Sequence, residues 1–321
     1  MQLQTKKKKK KVLMTVVISV LCLLLAALAF AGNYFYTYAL TPPRGGTAPG
    51  VASLTDGEMQ AAAPTIWTQG ADWLADHGED VTIESGDGLN LHGYWAANEG
   101  NDVAIVVHGY SSRSESMAAF GQAFYERGMS VLMPDLRGHG QSEGDYIGMG
   151  WPDRLDMLRW IDRIIAENPD ARIALFGISM GAATVMMTAG EALPPQVKLV
   201  IEDCGYTSVW DEFTVQMRDQ FSLPPFPLLQ VASLTAKIRA GYFFSEASAL
   251  NQVKKATVPM LFIHGDQDTF VPFWMMQPLY DAAPVPKEML VVEGAGHGQA
   301  SGTNPEAYWG AIDAFLAAHF Y

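Results

Sequence analysis

The chain has 321 residues, of which 49% are hydrophobic and 17% charged, so it is too apolar to be a disordered protein. It has no Gly-X-Y repeat or long heptad run, which excludes a fibrous protein, and its two Cys cannot build a disulfide-rich scaffold or a zinc finger. Six of its 21 basic residues form the run Lys6 to Lys11. The rest of the chain has 15 basic and 34 acidic residues, and its net charge of −19 would repel nucleic-acid phosphates.

The N-terminal part of the sequence predicts a membrane anchor. Residues 12–32 contain no charged residue, and as a helix they would span about 31 Å, close to the hydrocarbon thickness of a bilayer. Aromatic residues follow at Tyr34, Phe35, Tyr36 and Tyr38, as at a membrane interface. The lysine run should remain cytoplasmic, which predicts a single-pass protein of the cell membrane with its C-terminal body outside the cytoplasm.

A cleaved signal peptide is the alternative. The tripeptide Ala29-Phe30-Ala31 fits the small-x-small pattern for cleavage before Gly32, and the product would be secreted. The apolar stretch is longer than the usual 7–15-residue signal core, which favours an uncleaved anchor. In either case the exported body contains one cysteine, Cys204, and therefore no intrachain disulfide.

Composition divides the chain into four segments. Residues 1–11 form a basic cytoplasmic segment, residues 12–32 the anchor, residues 33–63 a stem and residues 64–321 a folded domain. The stem is predicted because residues 41–64 are rich in Pro, Gly, Ala and Thr.

The folded domain starts with a short helix over residues 65–77 and a hairpin of strands at 81–84 and 89–96. After the hairpin, short apolar strands alternate with helices, and this pattern predicts a mostly parallel, doubly wound α/β sheet covered on both faces. Strands are predicted at 103–107, 130–133, 173–176, 197–201, 258–263 and 289–292, and helices at 115–127, 152–167, 180–189, 273–282 and 305–320.

More than fifty residues without a clear strand separate Ile201 from Val258. A segment of that length inside an α/β domain predicts a functional insertion, here a cap or lid over residues 205–250.

The pentapeptide Gly177-Ile178-Ser179-Met180-Gly181 lies between a predicted strand and a predicted helix. This is G-x-S-x-G in the context that gives it meaning: a tight turn lifts the Ser179 hydroxyl above the sheet edge, at a helix N-terminus that favours negative charge. Ser179 is therefore the candidate nucleophile.

A serine nucleophile needs a base, and His297 is the candidate among seven histidines. It lies in Gly294-Ala295-Gly296-His297-Gly298, just after the last strand, in a loop that can reach the carboxyl ends of the strands. His108 and His264 also end strands, but each leads directly into another element. His139 is the main competitor, and bracing its loop is the role favoured for it.

The base needs an acid that fixes its tautomer and stabilises the imidazolium. Three aspartates follow strands of the sheet: Asp268, Asp266 and Asp203. Asp268 is favoured, with Asp266 second and Asp203 third.

These motifs resemble those of the α/β-hydrolase family over nearly all of residues 64–321. The order Ser179, Asp268, His297 matches the nucleophile–acid–histidine order of that family, and the His-Gly-x-x-Asp-x-x-Val-Pro pattern from His264 resembles its acid loop, in which the later aspartate is the triad member. The segment starting at His108-Gly109-Tyr110 resembles the oxyanion loop. The segment from Pro134 to Ser142 resembles a structural loop of the family, and the anchor together with residues 203–208 resembles a bacterial membrane-anchored subgroup.

The resemblance implies an oxyanion hole made by the backbone N–H groups of Tyr110 and Met180, and a reaction without metal or organic cofactor. The expected function is a serine hydrolase that cleaves small-molecule carboxylic esters of apolar acyl or aryl groups through an acyl-enzyme. The alternatives are a peptidase or amidase similar to prolyl oligopeptidase, and a non-catalytic surface protein of the same fold. The anchor implies contact with the membrane, and the acidic body implies none with nucleic acid.

Overall fold

The computed structural model describes residues 2–42 and 70–321, with side chains from Lys8 onward in the first segment. The stem prediction from Pro43 onward and the first residues of the predicted helix 65–77 lie outside the described residues.

An eight-stranded sheet forms the centre of the body, in the order β1-β2-β4-β3-β5-β6-β7-β8. The first two strands form the predicted hairpin, β2 pairs antiparallel with β4, and all other neighbours are parallel. The strands are β1 (Glu79–Glu84), β2 (Asn90–Ala96), β3 (Asp102–Val107), β4 (Ser130–Pro134), β5 (Arg172–Ile178), β6 (Val197–Asp203), β7 (Met260–Gly265) and β8 (Lys287–Val292).

Eleven α-helices lie within the described residues. They are α1 (Gln2–Leu40), α2 (Ala71–His77), α3 (Ala118–Tyr125), α4 (Asp153–Glu167), α5 (Met180–Ala189), α6 (Val209–Phe221), α7 (Pro225–Ala240), α8 (Ala249–Val253), α9 (Met276–Ala282), α10 (Ala300–Thr303) and α11 (Pro305–His319). Short 3₁₀ turns, Ser114–Met117 and Phe273–Met275, lead into α3 and α9. The predicted mostly parallel α/β architecture is confirmed.

The core has two halves because side chains alternate across each strand. In β3, Val103, Ile105 and Val107 belong to one buried cluster, and Ala104 and Val106 belong to the other. Both faces are buried, which explains why the central strands are continuous apolar runs. The parallel arrangement also brings the segments that follow β5, β6, β7 and β8 to one edge of the sheet, called here the carboxyl edge.

The N-terminal helix is long and apolar enough to span a bilayer, with a mean hydropathy of 2.9 in its most apolar part. The same property would suit a signal sequence. The helix does not end at Gly32: it continues to Leu40, so residues 33–40 are helical and not part of a loose stem. Tyr36 and Leu40 are buried against the body, and the Leu40 carbonyl accepts a hydrogen bond from Ile147 N at 2.8 Å.

The predicted insertion between β6 and β7 consists of helices α6, α7 and α8. Ser208 caps α6, with its hydroxyl accepting a hydrogen bond from Asp211 N at 3.1 Å, and Pro224 and Pro225 start α7. Helices α6 and α7 form the cap above the carboxyl edge.

Candidate active site

Ser179 lies in a strained turn between β5 and α5. Its φ and ψ are 57° and −119°, a combination that non-glycine residues rarely adopt. The flanking glycines permit the turn: a Cβ on Gly177 would lie 2.3 Å from the Gly181 oxygen, and one on Gly181 would lie 2.2 Å from the Val107 oxygen. Ser179 N also donates to the Asp203 carbonyl at 2.8 Å. Backbone contacts before and after Ser179 therefore hold the residue in its strained conformation.

His297 joins the Ser179 hydroxyl to a carboxylate. Its Nε2 lies 2.8 Å from Ser179 Oγ and its Nδ1 lies 2.7 Å from Asp268 Oδ2. The glycine-rich loop after β8 brings the ring back over the carboxyl edge. Burial lowers the pKa of His297, but the negative charge of Asp268 and its hydrogen bond outweigh burial and leave the pKa raised. A raised pKa makes the ring a stronger acceptor for the serine proton.

Asp268 is fully buried, and both of its carboxylate oxygens have partners. Oδ1 accepts hydrogen bonds from Phe270 N and Val271 N, both at 3.0 Å, and Oδ2 also lies 3.2 Å from His264 Nε2. Burial raises its pKa, but the charges of the adjacent His297 and His264 and the hydrogen bonds from their rings prevail and lower the pKa to about 2. Asp268 therefore remains ionised beside His297 at neutral pH.

The other two candidate aspartates have different partners. Asp266 Oδ1 accepts hydrogen bonds from Gly294 N at 2.7 Å and from Gln267 at 3.1 Å. Asp203 Oδ2 accepts the hydroxyl proton of Tyr308 at 2.9 Å. Both lie at the carboxyl edge as expected, but the hydrogen bond of His297 Nδ1 is to Asp268.

The competing histidines are buried away from the serine hydroxyl. His108 Nε2 accepts a hydrogen bond from Leu136 N at 3.0 Å, and His139 Nδ1 lies 3.1 Å from the Arg137 carbonyl. Burial lowers the pKa of His139 to about 3, so it stays neutral in its loop. These contacts agree with bracing roles.

The two amides expected to form an oxyanion hole belong to segments next to Ser179. Met180 is the first residue of α5, so its N–H has no partner within the helix. The Gly109–Tyr110 segment follows β3 beside the serine, since a Cβ on Gly109 would lie 3.4 Å from Ser179 Cβ. The Tyr110 hydroxyl donates to the Ala39 carbonyl at 2.7 Å, which fixes this segment against the end of α1.

An apolar cavity opens beside Ser179, between the carboxyl edge and the cap. The cap helices α6 and α7 supply eight of its 19 lining residues, including Phe213, Met217, Phe221 and Leu229. Phe35, Tyr38 and Ala39 of α1 form a further wall. The sequence predicted an apolar cap here, but not the contribution of α1, because nothing local indicates that residues 33–40 fold back on the body.

Sequence reasoning also missed Glu212, a carboxyl group in the cavity lining. It is 3% exposed; its Oε1 accepts a hydrogen bond from Gln216 at 2.8 Å, and its Oε2 has no hydrogen-bond partner among the described residues. Burial raises its pKa to about 8, so the group is mostly neutral at pH 7. In the sequence Glu212 is one of two adjacent acids in the first turn of a helix, a common surface pattern.

Cys204, Asp268 and His297 have possible metal-ligating atoms within 4.8 Å of one another. Burial raises the pKa of the Cys204 thiol well above its usual value, which disfavours the thiolate that binds metals. Asp268 and His297 are already hydrogen-bonded to each other. Asp268 and His297 are therefore better suited to proton transfer than to binding a metal ion together with Cys204.

Comparisons with known proteins agree with the fold. A family model described as serine aminopeptidase, S33, matches residues 99–211. The uncharacterized protein YqkD of Bacillus subtilis is 28% identical over 236 residues, which cover 73% of this chain and 77% of YqkD.

Two solved structures share the architecture. The Pyrococcus furiosus esterase Pf2001 superposes with a TM-score of 0.64 at 22% identity, covering 80% of this chain and 98% of the esterase. The Pyrococcus horikoshii acylaminoacyl peptidase superposes with a TM-score of 0.57 at 18% identity, covering 76% of this chain and 41% of the peptidase. With the sheet described above, these matches show that the chain has the α/β-hydrolase fold.

Proposed function

We propose that the protein is a serine hydrolase of carboxylic esters with an apolar acyl or aryl group, held at the outer face of the cell membrane by α1. The observation that carries this proposal is the hydrogen-bonded series Asp268–His297–Ser179 ending at an apolar cavity. The proposed catalytic residues are these three, with the Tyr110 and Met180 amides as oxyanion donors.

The mechanism follows from the order in which the three side chains are hydrogen-bonded. Ser179 Oγ attacks the ester carbonyl while His297 Nε2 accepts the serine proton, and Asp268 stabilises the imidazolium that results. The carbonyl oxygen becomes negative and receives hydrogen bonds from the Tyr110 and Met180 N–H groups. His297 then gives its proton to the departing alkoxide. His297 then deprotonates a water molecule that attacks the acyl-enzyme, and it returns this proton to Ser179 Oγ as the carboxylic acid leaves and ionises in solution.

A peptidase or amidase is the second candidate. The matching family model is described as a serine aminopeptidase, and one structural neighbour is an acylaminoacyl peptidase. The same three side chains would serve either reaction, because both pass through an acyl-enzyme. The cavity lining favours esters, since it is mainly apolar and offers few groups that would bind a peptide backbone.

The test is a panel of aryl esters of increasing acyl length beside aminoacyl amides. Burying each added CH₂ contributes up to about 0.8 kcal/mol, so kcat/KM should rise by as much as about fourfold per methylene until the cavity is filled. Ser179→Ala should remove this turnover. Faster cleavage of the amides than of every ester would support the second candidate instead.

A further inference from the structure

The end of α1 is part of the cavity wall. Tyr38 donates its hydroxyl proton to Gln220 Oε1 of the cap at 3.0 Å, and the rings of Phe35 and Phe221 pack edge to face at 5.3 Å. On the opposite side, Ala39 accepts the hydrogen bond from Tyr110. Because α1 is one continuous helix, these contacts fix the position of the cavity relative to the apolar segment 12–32.

The distance along the helix is short. Phe35 is three residues beyond Gly32, about 5 Å at 1.5 Å per residue. If the segment 12–32 spans the hydrocarbon, the wall at Phe35, Tyr38 and Ala39 lies at the level of the lipid headgroups.

Cap helix α7 runs beside α1 in the same direction. A Cβ on Gly32 would lie 2.7 Å from the Val231 oxygen, and further along both helices Arg239 donates to Asn33 Oδ1 at 3.1 Å and stacks on Tyr36. The start of α7 therefore points back along the apolar segment. Pro227 lies four residues before Val231, about 6 Å further in that direction.

Four apolar side chains of this cap edge are exposed within the described residues. They are called here the cap face: Leu223 (37% exposed), Phe226 (72%), Leu234 (50%) and Ile238 (77%). Large exposed apolar patches mark contacts with membranes or proteins. The continuity of the cap face with the equally exposed apolar side chains of α1 favours a lipid contact.

We propose that the cap face is inserted in the outer leaflet of the bilayer, and that the cavity receives its ester laterally from that leaflet as a long-chain amphiphile. This inference rests on the proposed function and names its substrate class. The hydrocarbon chain lies along the cavity walls that α1 and the cap form, and the ester carbonyl reaches Ser179 near the headgroup level.

The first experiment measures insertion without using activity. A fluorophore that reports polarity is attached to Phe226→Cys in full-length protein carrying Cys22→Ser, since Cys204 is buried. Leu155→Cys, 47% exposed on α4, is the matched control. In phosphatidylcholine vesicles, nitroxide on the lipid chains should quench the label at position 226 at least threefold more than the label at position 155. Equal quenching overturns insertion. A second result would also overturn insertion. If the emission of the label at position 226 shifts to the blue in detergent only at high protein concentration, a second copy of the protein covers the cap face.

The second experiment measures lateral entry. Phe226→Asp and Leu234→Asp should lower hydrolysis of 4-nitrophenyl palmitate in vesicles at least tenfold, and should leave hydrolysis of dissolved 4-nitrophenyl butyrate within twofold. Leu155→Asp should change neither. Unchanged palmitate turnover, or a parallel loss of both activities, overturns lateral entry. If wild-type protein cleaves neither ester, the proposed function and lateral entry fail together, whereas quenching still decides insertion.

Discussion

Asp268 has the contacts expected of a carboxylate that orients a catalytic histidine. Two backbone N–H groups hold one oxygen, so the other is directed at His297 Nδ1. The two alternatives in the sequence have other partners: Asp266 accepts a hydrogen bond from the backbone N–H of Gly294, and Asp203 accepts one from the Tyr308 hydroxyl. The three carboxylates can therefore be distinguished by what each stabilises.

Asp268→Asn should be the most damaging of three matched asparagine variants. Loss of the working tautomer can lower kcat by about 10⁴. The negative charge of Asp268 raises the pKa of His297, so any remaining activity should have its acid limb at lower pH than in wild type. Asp266→Asn and Asp203→Asn should lose far less. The measurement is kcat on one ester between pH 5 and 9, with folding checked by thermal melting. The acid assignment would be wrong if Asp268→Asn stayed active while another variant did not.

Glu212 should make the protein less stable as pH rises. Its pKa is about 8 in the folded protein against an ordinary 4.5, so the folded state binds the proton more tightly than the unfolded state. Between these pKa values each pH unit costs up to about 1.4 kcal/mol of unfolding free energy, and the loss is complete above pH 8. Glu212→Gln removes this contribution. The melting temperature of this variant minus that of wild type should increase from pH 5 to pH 8. A difference that does not change with pH would contradict the raised pKa of Glu212.

The candidate catalytic side chains could be predicted from sequence because each lies in a short local motif. Ser179 is marked by two glycines, and His297 and Asp268 lie in loops directly after apolar strands. Glu212 could not be predicted, because its burial depends on how the cap closes over the sheet. Tyr38 and Ala39 were missed for the same reason: their hydrogen-bond partners Gln220 and Tyr110 are 182 and 71 residues away in sequence.

At the scale of elements, the pattern of apolar residues predicted the strands and most helices within a few residues. The main difference is α1, which was expected to end at Gly32, where the apolar run ends. It continues because Tyr36 and Leu40 find a buried site on the body, and such tertiary contacts are invisible to a local pattern. The last two turns of α1 therefore belong structurally to the site.

The strand–turn–helix element around Ser179 should tolerate no side chain at Gly181. A Cβ there meets the backbone oxygen of Val107, which cannot move aside without displacing β3. Gly181→Ala should lower the unfolding free energy by about 1–3 kcal/mol and reduce kcat. Gly310→Ala in α11 is the control: its Cβ meets open space, and it should stabilise the helix by about 0.5–1 kcal/mol. Chemical denaturation of both variants makes the comparison, and equal stability of the two would contradict the close approach.

At the scale of the whole molecule, the N-terminal helix and the body form one unit joined along α1 and α7. We expect fractionated cells to hold the full-length protein in the membrane pellet, released by detergent and not by high salt, because α1 would lose its lipid contacts only in detergent. N-terminal sequencing of the released protein checks that the anchor is retained. A soluble protein starting at Gly32 would establish the signal-peptide alternative.

The most direct test of the central claim is to identify the residue that reacts with a fluorophosphonate probe. Such probes phosphonylate an activated serine and require the base and the oxyanion donors as well as the nucleophile. Full-length protein in detergent is treated with the probe, digested and analysed by mass spectrometry, beside Ser179→Ala and His297→Ala. The account predicts one adduct per chain, on Ser179, with parallel loss of ester turnover and little labelling of either variant. Labelling at another serine, or ester turnover near wild type in Ser179→Ala, would contradict it.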